Sequence, residues 1–341
     1  MRFKRIVLAA MAVAAVAISS VAESPESSGI KKYLPRVRGA VRARWENDFE
    51  GHRSRFQLRN ARIMLDGRIA PTIDYFLQAD LCDRGTMKFL DGWARIEIFK
   101  GFKVQAGQFR MPFGVEPFRA PGNYIFSNRS FIGNQVCNVR AVGGKLMYTL
   151  PKAPLTFEGG IFNPTSIFDQ TGWISSYAYA GRAVLKPGNW HFEAGIMSIR
   201  PAGVRINMLD VACGWYSSRW DVAGEYMYEH YTNDTHRPTH AYALWGDYKL
   251  PVKLGVFNQL SFQGRFDGMT AHSGGKGLSD GQLPTDDPAR NRVTAGATLS
   301  YLHGNLGLDI RADYEKYFYH SCVDAPDGRG DRFVLEMVLR F

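Results

Sequence analysis

The final eleven residues, Asp331 to Phe341, constrain the fold more than any other stretch of the chain. Phe333, Leu335, Met337, Leu339 and Phe341 fall on one side of an extended segment, and Arg332, Val334, Glu336, Val338 and Arg340 on the other. A period of two with one wholly apolar face describes a strand that turns this face away from water. Two settings accept it: an ordinary amphipathic strand at a C-terminus, or the closing strand of a transmembrane barrel. In the second setting an aromatic end residue, with apolar residues at alternate positions before it, resembles the signal read by barrel-assembly machinery. Phe341, Leu339 and Met337 would then be that signal.

The rest of the chain favours the barrel. Strand-like runs fall near residues 36–47, 53–66, 72–82, 89–99, 101–109, 139–150, 154–162, 176–186, 189–199, 207–217, 219–231, 239–250, 256–268, 292–303, 305–318 and 331–341. Most have about the ten residues that a tilted membrane strand needs. Every other connection is short and turn-rich, as at Gly67–Pro71, Lys100, Pro151–Ala153, Pro187-Gly188, Ser218, Pro251–Gly255 and Gly304. The longest of the alternating set are about 110–138, 163–175, 269–291 and 319–330. Sixteen strands with short turns on one side and longer loops on the other predict an all-β, antiparallel transmembrane barrel, its short turns in the periplasm and its longer loops outside. A helical reading fails because the period of two breaks any 3.6-residue stripe.

The N-terminus predicts export. Arg2, Lys4 and Arg5 precede the apolar run Ile6–Ile18, and Ser20-Val21-Ala22 offers a signal peptidase site, so residues 1–22 read as a cleaved signal peptide. Residues 23–35 read as a flexible periplasmic lead-in and 36–341 as the barrel. The net charge of +10 falls to +7 once the three cations of residues 1–22 are removed. Export leaves nucleic acid the weakest partner of a basic chain and favours anionic surfaces or solutes. Cys82, Cys137 and Cys322 fall near outer loops, where one disulfide would be permitted, and Cys213 reads as a small hydrophobe. Their spacing matches no metal motif, and no metal or cofactor is expected.

The polar faces of the early strands are basic. Arg36, Arg38, Arg42, Arg44, Arg53, Arg55, Arg59 and Arg62 are followed by Arg95, Lys103, Arg110, Arg140 and Lys145. A barrel this wide encloses water, and a cationic wall in a narrow, low-dielectric passage concentrates anions. The candidate pore-lining set is Arg38, Arg42, Arg44, Arg59, Arg95, Lys103, Arg110 and Arg140. The acids Asp74, Asp80, Asp91 and Glu97 share those faces, so the same cations could instead be bound up in salt bridges. Residues 110–138 form the third outer connection and carry their own aromatics, as a folded loop does. Such a loop is expected to bend into the lumen and set a constriction, with Glu116 and Arg119 upon it; an external flap is the alternative.

Several stretches together resemble the phosphate-selective porin O and P family of Gram-negative outer membranes. They are Phe56-Gln-Leu-Arg-Asn-Ala-Arg62, then Gly67, Pro71 and Tyr75-Phe-Leu-Gln-Ala-Asp80. Gly107-Gln-Phe-Arg-Met-Pro-Phe-Gly114 with Glu116, Arg140 leading into Gly143, Phe162-Asn163, Arg182 with Pro187, and Glu225-Tyr226 follow in the family's order. The family's doubled arginine near the second strand reads Arg59-Asn60 here. The resemblance implies a sixteen-stranded outer-membrane porin, a homotrimer embedded in outer-membrane lipid, passing small anions such as phosphate by diffusion.

Two other classes remain open to the sequence. One is a non-conducting barrel whose outer loops bind a partner or surface. The other is an envelope lipid hydrolase, against which stand the scattered His191, His230, His236, His240, His303 and His320 and the want of a Gly-x-Ser-x-Gly elbow. His230, His236 and His240 gather around the sixth outer loop as exposed loop histidines rather than metal ligands, and Arg329-Gly330-Asp331 reads as a turn.

Overall fold

The computed structural model describes residues 33–341 apart from 120, 137–138, 165–166, 169 and 321–329. Residues 1–22, read above as a signal peptide, most of the expected lead-in, Cys137, Cys322 and Arg329 lie outside the described residues.

The described residues form sixteen antiparallel strands closed into one barrel, each paired with its neighbour in sequence and the first with the last. They are β1 (Arg36–Asp48), β2 (Arg53–Ala70), β3 (Ile73–Asp83), β4 (Thr86–Phe99), β5 (Phe102–Arg110), β6 (Arg140–Thr149), β7 (Leu155–Phe162) and β8 (Ala178–Leu185). There follow β9 (Trp190–Ile199), β10 (Ile206–Tyr216), β11 (Trp220–Tyr231), β12 (Thr239–Leu254), β13 (Phe257–Met269), β14 (Arg290–His303), β15 (Leu306–Tyr319) and β16 (Arg332–Arg340). Alternation sets the faces. On β16, Leu335, Met337 and Leu339 stand exposed on the outer surface, while Val334, Glu336 and Val338 are buried towards the lumen.

Closure leaves no unpaired sheet edge. β16 pairs with β1 from Ala40↔Arg340 to Asp48↔Arg332. One step further, the Gly39 amide donates to the Phe341 carbonyl at 2.7 Å and the Phe341 amide donates to that of Gly39 at 3.1 Å. The Phe341 ring packs over Gly39, in space that a side chain at residue 39 would displace it from.

The short turns differ from the sequence reading in two places. β2 runs on through Ala70 and β12 through Leu254, over residues expected to be turns. On β2 the ladder continues because Arg68 and Asp74 meet across it at 3.0 Å. A bulge between β1 and β2 pairs Arg42 with Asn60 and Ala43 with Leu58, leaving Arg59 opposite no residue. This extra residue shifts the alternation by one. It lets Arg59 and Arg62, of opposite parity in sequence, both face the lumen.

The lumen is not uniformly polar. Met208, Ala223, Met227, Ala241, Ala243 and Trp245, on the inward faces of β10–β12, are buried in a cluster with Phe113, Phe126 and Ile132 of the long connection after β5. On the same inward faces Asp210, Glu225, Glu229 and Asp247 are buried between these apolar residues.

Candidate functional site

The connection from 111 to 139, the third on its side of the barrel (L3), folds into the lumen. Met111, Phe113, Phe131, Ile132 and Val136 are buried there. Its backbone is pinned to the wall. Val115 donates its amide to Glu225 of β11 at 2.7 Å, Ser127 to Asp313 of β15 at 2.6 Å and Phe131 to Asp267 of β13 at 3.0 Å. Five arginines grip L3 carbonyls in return: Arg340 on Gly122 at 2.5 Å, Arg311 on Tyr124 at 2.6 Å, Arg42 on Ser127 at 2.6 Å, Arg265 on Asn128 at 2.8 Å and Arg292 on Arg129 at 2.7 Å. Buried carbonyls need donors, and guanidinium groups also satisfy their own buried acids with their other nitrogens. L3 thus reaches β11, crosses to β13–β16 and meets β1.

Each cation singled out from the sequence has a definite place. Arg42 is buried in a bridge to Glu336 at 2.6 Å, and Arg311 holds the other oxygen of that carboxylate at 3.0 Å. Arg44 meets Glu46 at 2.9 Å and donates to Asn128 of L3, also at 2.9 Å. Arg59 pairs with Asp83 at 2.5 Å, Arg95 with Asp74 at 2.9 Å and Arg140 with Asp91 through two bonds of 3.0 and 3.1 Å. Arg38, half exposed, pairs with Asp66 at 2.7 Å, and Lys103 with Glu97 at 3.5 Å. Arg110 lies buried beside them. Asp74, Asp91 and Glu97 are therefore bound into ion pairs, as is Asp80, which holds Arg62 at 2.9 Å. The wall is a lattice of paired charges rather than a row of bare cations.

Glu116 and Arg119 sit on the buried arm of L3. Glu116 accepts from the Ser130 amide at 2.8 Å and from the Ser130 hydroxyl, bracing one arm of the loop against the other. Arg119 reaches the Tyr216 hydroxyl at 3.4 Å and lies 5.5 Å from the centre of the Trp245 ring.

Above L3 the lumen opens into a vestibule of about 750 Å³. Its lining holds twelve arginines and two lysines, Arg42, Arg44, Arg59, Arg110 and Arg140 among them, against the carboxylates of Asp83 and Glu229. Tyr124 stands at its floor, with Arg42 and Arg129 at 4.9 and 4.8 Å from the ring centre. Burial alone would raise the Tyr124 phenol, but Arg129, Arg62, Arg42 and Arg110 outweigh it and lower the pKa. The phenol registers a positive local potential, which favours its ionised form.

The sequence reading passed over several members of this site. Arg265, Arg290, Arg292 and Arg311 carry the basic character onto β13–β15, where Asp309, Arg311, Asp313 and Glu315 alternate at a period of two and could have been found by that pattern. Arg290 and Arg292 flank the Phe131 ring at 4.5 and 4.6 Å. His272, in the loop between β13 and β14, sits 3.5 Å from both Glu229 and Asp287. Burial works to lower its pKa, yet the Asp287 and Glu229 carboxylates raise it above the ordinary value. His230, His236 and His240 do not converge: His240 meets the Tyr226 hydroxyl at 2.7 Å on the outer face, while His236 meets Thr285 at 3.1 Å in the loops. Cys213 lies exposed on the outer face, and the Cys82 thiol faces the Leu58 carbonyl at 3.7 Å.

Solved structures of similar shape include outer-membrane proteins and porins. A loop L8 deletion mutant of OmpT, an outer membrane protein of Vibrio cholerae, superposes with a TM-score of 0.60 at 10% identity, over 91% of this chain and 100% of that one. An anion-selective porin from Comamonas acidovorans gives 0.60 at 13% identity, over 90% and 99%. The trimer form of in-vitro folded Vibrio cholerae OmpT gives 0.59 at 10% identity, over 90% and 99%. At such identities the likeness shows the fold. No curated protein matches the chain in sequence. Residues 35–198, which hold the basic wall of β1–β6 and the whole of L3, match the model of the phosphate-selective porins O and P. Over that region the chain is similar to the phosphate-selective porins O and P, and its closed sixteen-stranded barrel is the fold of the solved porins.

Proposed function

We propose that the protein is a passive porin through which small solutes diffuse with a preference for anions. The observation that carries this reading is the vestibule, where fourteen cationic side chains stand against two carboxylates. Pairing with wall acids such as Glu336 and Asp91 lowers the field, and the cations that border the vestibule still outnumber the carboxylates that do. In a low-dielectric passage that surplus raises the local concentration of anions. Small anions such as phosphate fit the guanidinium chemistry. Arg38, Arg95 and Lys103 extend the basic path towards the periplasmic end, and Glu116 and Arg119 shape the loop that narrows it.

Export through a cleaved signal over residues 1–22, seating in outer-membrane lipid and assembly as a homotrimer complete the reading; the Vibrio cholerae relative is a trimer. The test is the reversal potential of the purified protein in planar bilayers under a KCl gradient. The dense anchoring of L3 favours a second reading, a barrel closed by its own loop whose outer loops bind a partner; a silent bilayer would select it.

Phe341, with Leu339 and Met337 on the same outer face, is proposed as the signal for assembly. Deleting Phe341 removes both bonds to Gly39 and uncovers that glycine. The yield of folded barrel, read as heat-modifiable mobility on gels, should fall severalfold while inserted molecules keep their conductance. A normal yield would contradict the assembly role.

A further inference from the structure

The vestibule has two unlike walls. In a closed ring of sixteen strands, β1 and β9 lie eight places apart and so face each other across the lumen. β2, β5 and β6 present Arg59, Arg62, Arg110 and Arg140. Across from β2, and a quarter turn from β5 and β6, Ile199 of β9 borders the same space, as do Ile167 and Phe168 of the loop after β7 and Val139 at the end of L3, while Ile206, Met208 and Val136 are buried behind them. An inorganic oxyanion has no use for such a surface: it would leave one wall of the cavity in contact with water alone. The volume of about 750 Å³ lies within the range of sites that enclose organic ligands.

We propose that this vestibule is a binding site for organic anions with an apolar body, in particular aromatic or alicyclic monocarboxylates. The carboxylate pairs with the guanidinium groups of Arg110, Arg140 and Arg62 through the N–H groups left beside the bonds that Asp91 and Asp80 take from Arg140 and Arg62. The ring lies against Ile199, Ile167 and Val139, removing apolar surface from water on both partners. The inference rests on the pore reading above and deepens it by naming a class of solute that the anion preference alone does not select.

The test uses the full chain in planar bilayers, in KCl, with sodium benzoate, cyclohexanecarboxylate, acetate or inorganic phosphate added at equal ionic strength. Burial of one ring predicts block of the chloride current by benzoate and cyclohexanecarboxylate at concentrations about tenfold or more below acetate. Phosphate should block no better than acetate. Ile199→Asn and Ile167→Asn should bring the benzoate-to-acetate ratio towards one. Equal potency of benzoate and acetate in an anion-selective channel, or stronger block by phosphate than by benzoate, would overturn the inference alone. A ratio that survives both substitutions would overturn the assignment of the apolar wall. A cation-selective or silent barrel would overturn this inference together with the pore reading. Comparison of the two ring acids in the wild-type protein keeps the test decisive if a variant fails to fold.

Discussion

Excision of residues 116–134 from L3 should raise single-channel conductance severalfold. The segment crosses the lumen to β13–β16, held by amides on Asp313 and Asp267 and by arginines on its carbonyls. None of the ladder hydrogen bonds between strands passes through it, so the closed sheet does not depend on it. Water would replace the loop as partner of Arg265, Arg292 and Arg311, and the cross-section now filled by Phe126, Phe131 and Ile132 would conduct. Anion preference should persist in weaker form, because Arg62, Arg110 and Arg140 remain on the wall while the passage widens. Unchanged conductance would show that ions already bypass the space L3 fills.

Replacing Glu336 by alanine should be among the most destabilising single changes outside the lipid face. Its two oxygens hold Arg42 and Arg311 at 2.6 and 3.0 Å, each side chain about 2% exposed, at the seam where β16 closes on β1. Loss of the carboxylate strands two buried guanidinium groups, a situation that costs about 3 to 5 kcal/mol. It also loosens the arginines that grip the carbonyls of Ser127 and Tyr124, so L3 should become accessible to protease. Removing Asp66, whose partner Arg36 is largely exposed, should cost at most about 1 kcal/mol by comparison. Equilibrium unfolding in urea of Glu336→Ala and Asp66→Asn, measured side by side, checks both. Equal small effects would mean that the seam pair is as well hydrated as the rim pair.

The barrel itself was legible because lipid imposes a rule on every strand at once. Each outward position must be apolar and each connection must return the chain to the other side, so alternation and loop lengths sufficed to place the sixteen strands and the seam between β16 and β1. The lumen obeys no comparable rule. Arg42 and Glu336 stand at opposite ends of the chain, and only closure brings them together. The bulge at Arg59 is a one-residue event that alternation reads as noise. Above all, Met208, Met227 and Trp245 on the inward faces of β10–β12 are covered by L3, and where that loop lies depends on bonds to Asp267, Asp313 and Glu225 from distant strands. The residues picked from the sequence are consequently in the lumen, yet most are engaged with partners that it did not identify. The cations on β13–β15 were visible as alternating charge and were passed over because the basic run of β1 and β2 is denser.

The reversal potential under a KCl gradient, recorded first near 0.1 M and then near 1 M mean salt, tests the central claim most directly. The surplus of cations in the vestibule predicts a potential on the anion-permeable side at the lower salt. The preference should shrink at the higher salt, where the screening length falls from about 10 Å to about 3 Å. A potential on the cation-permeable side would contradict the account.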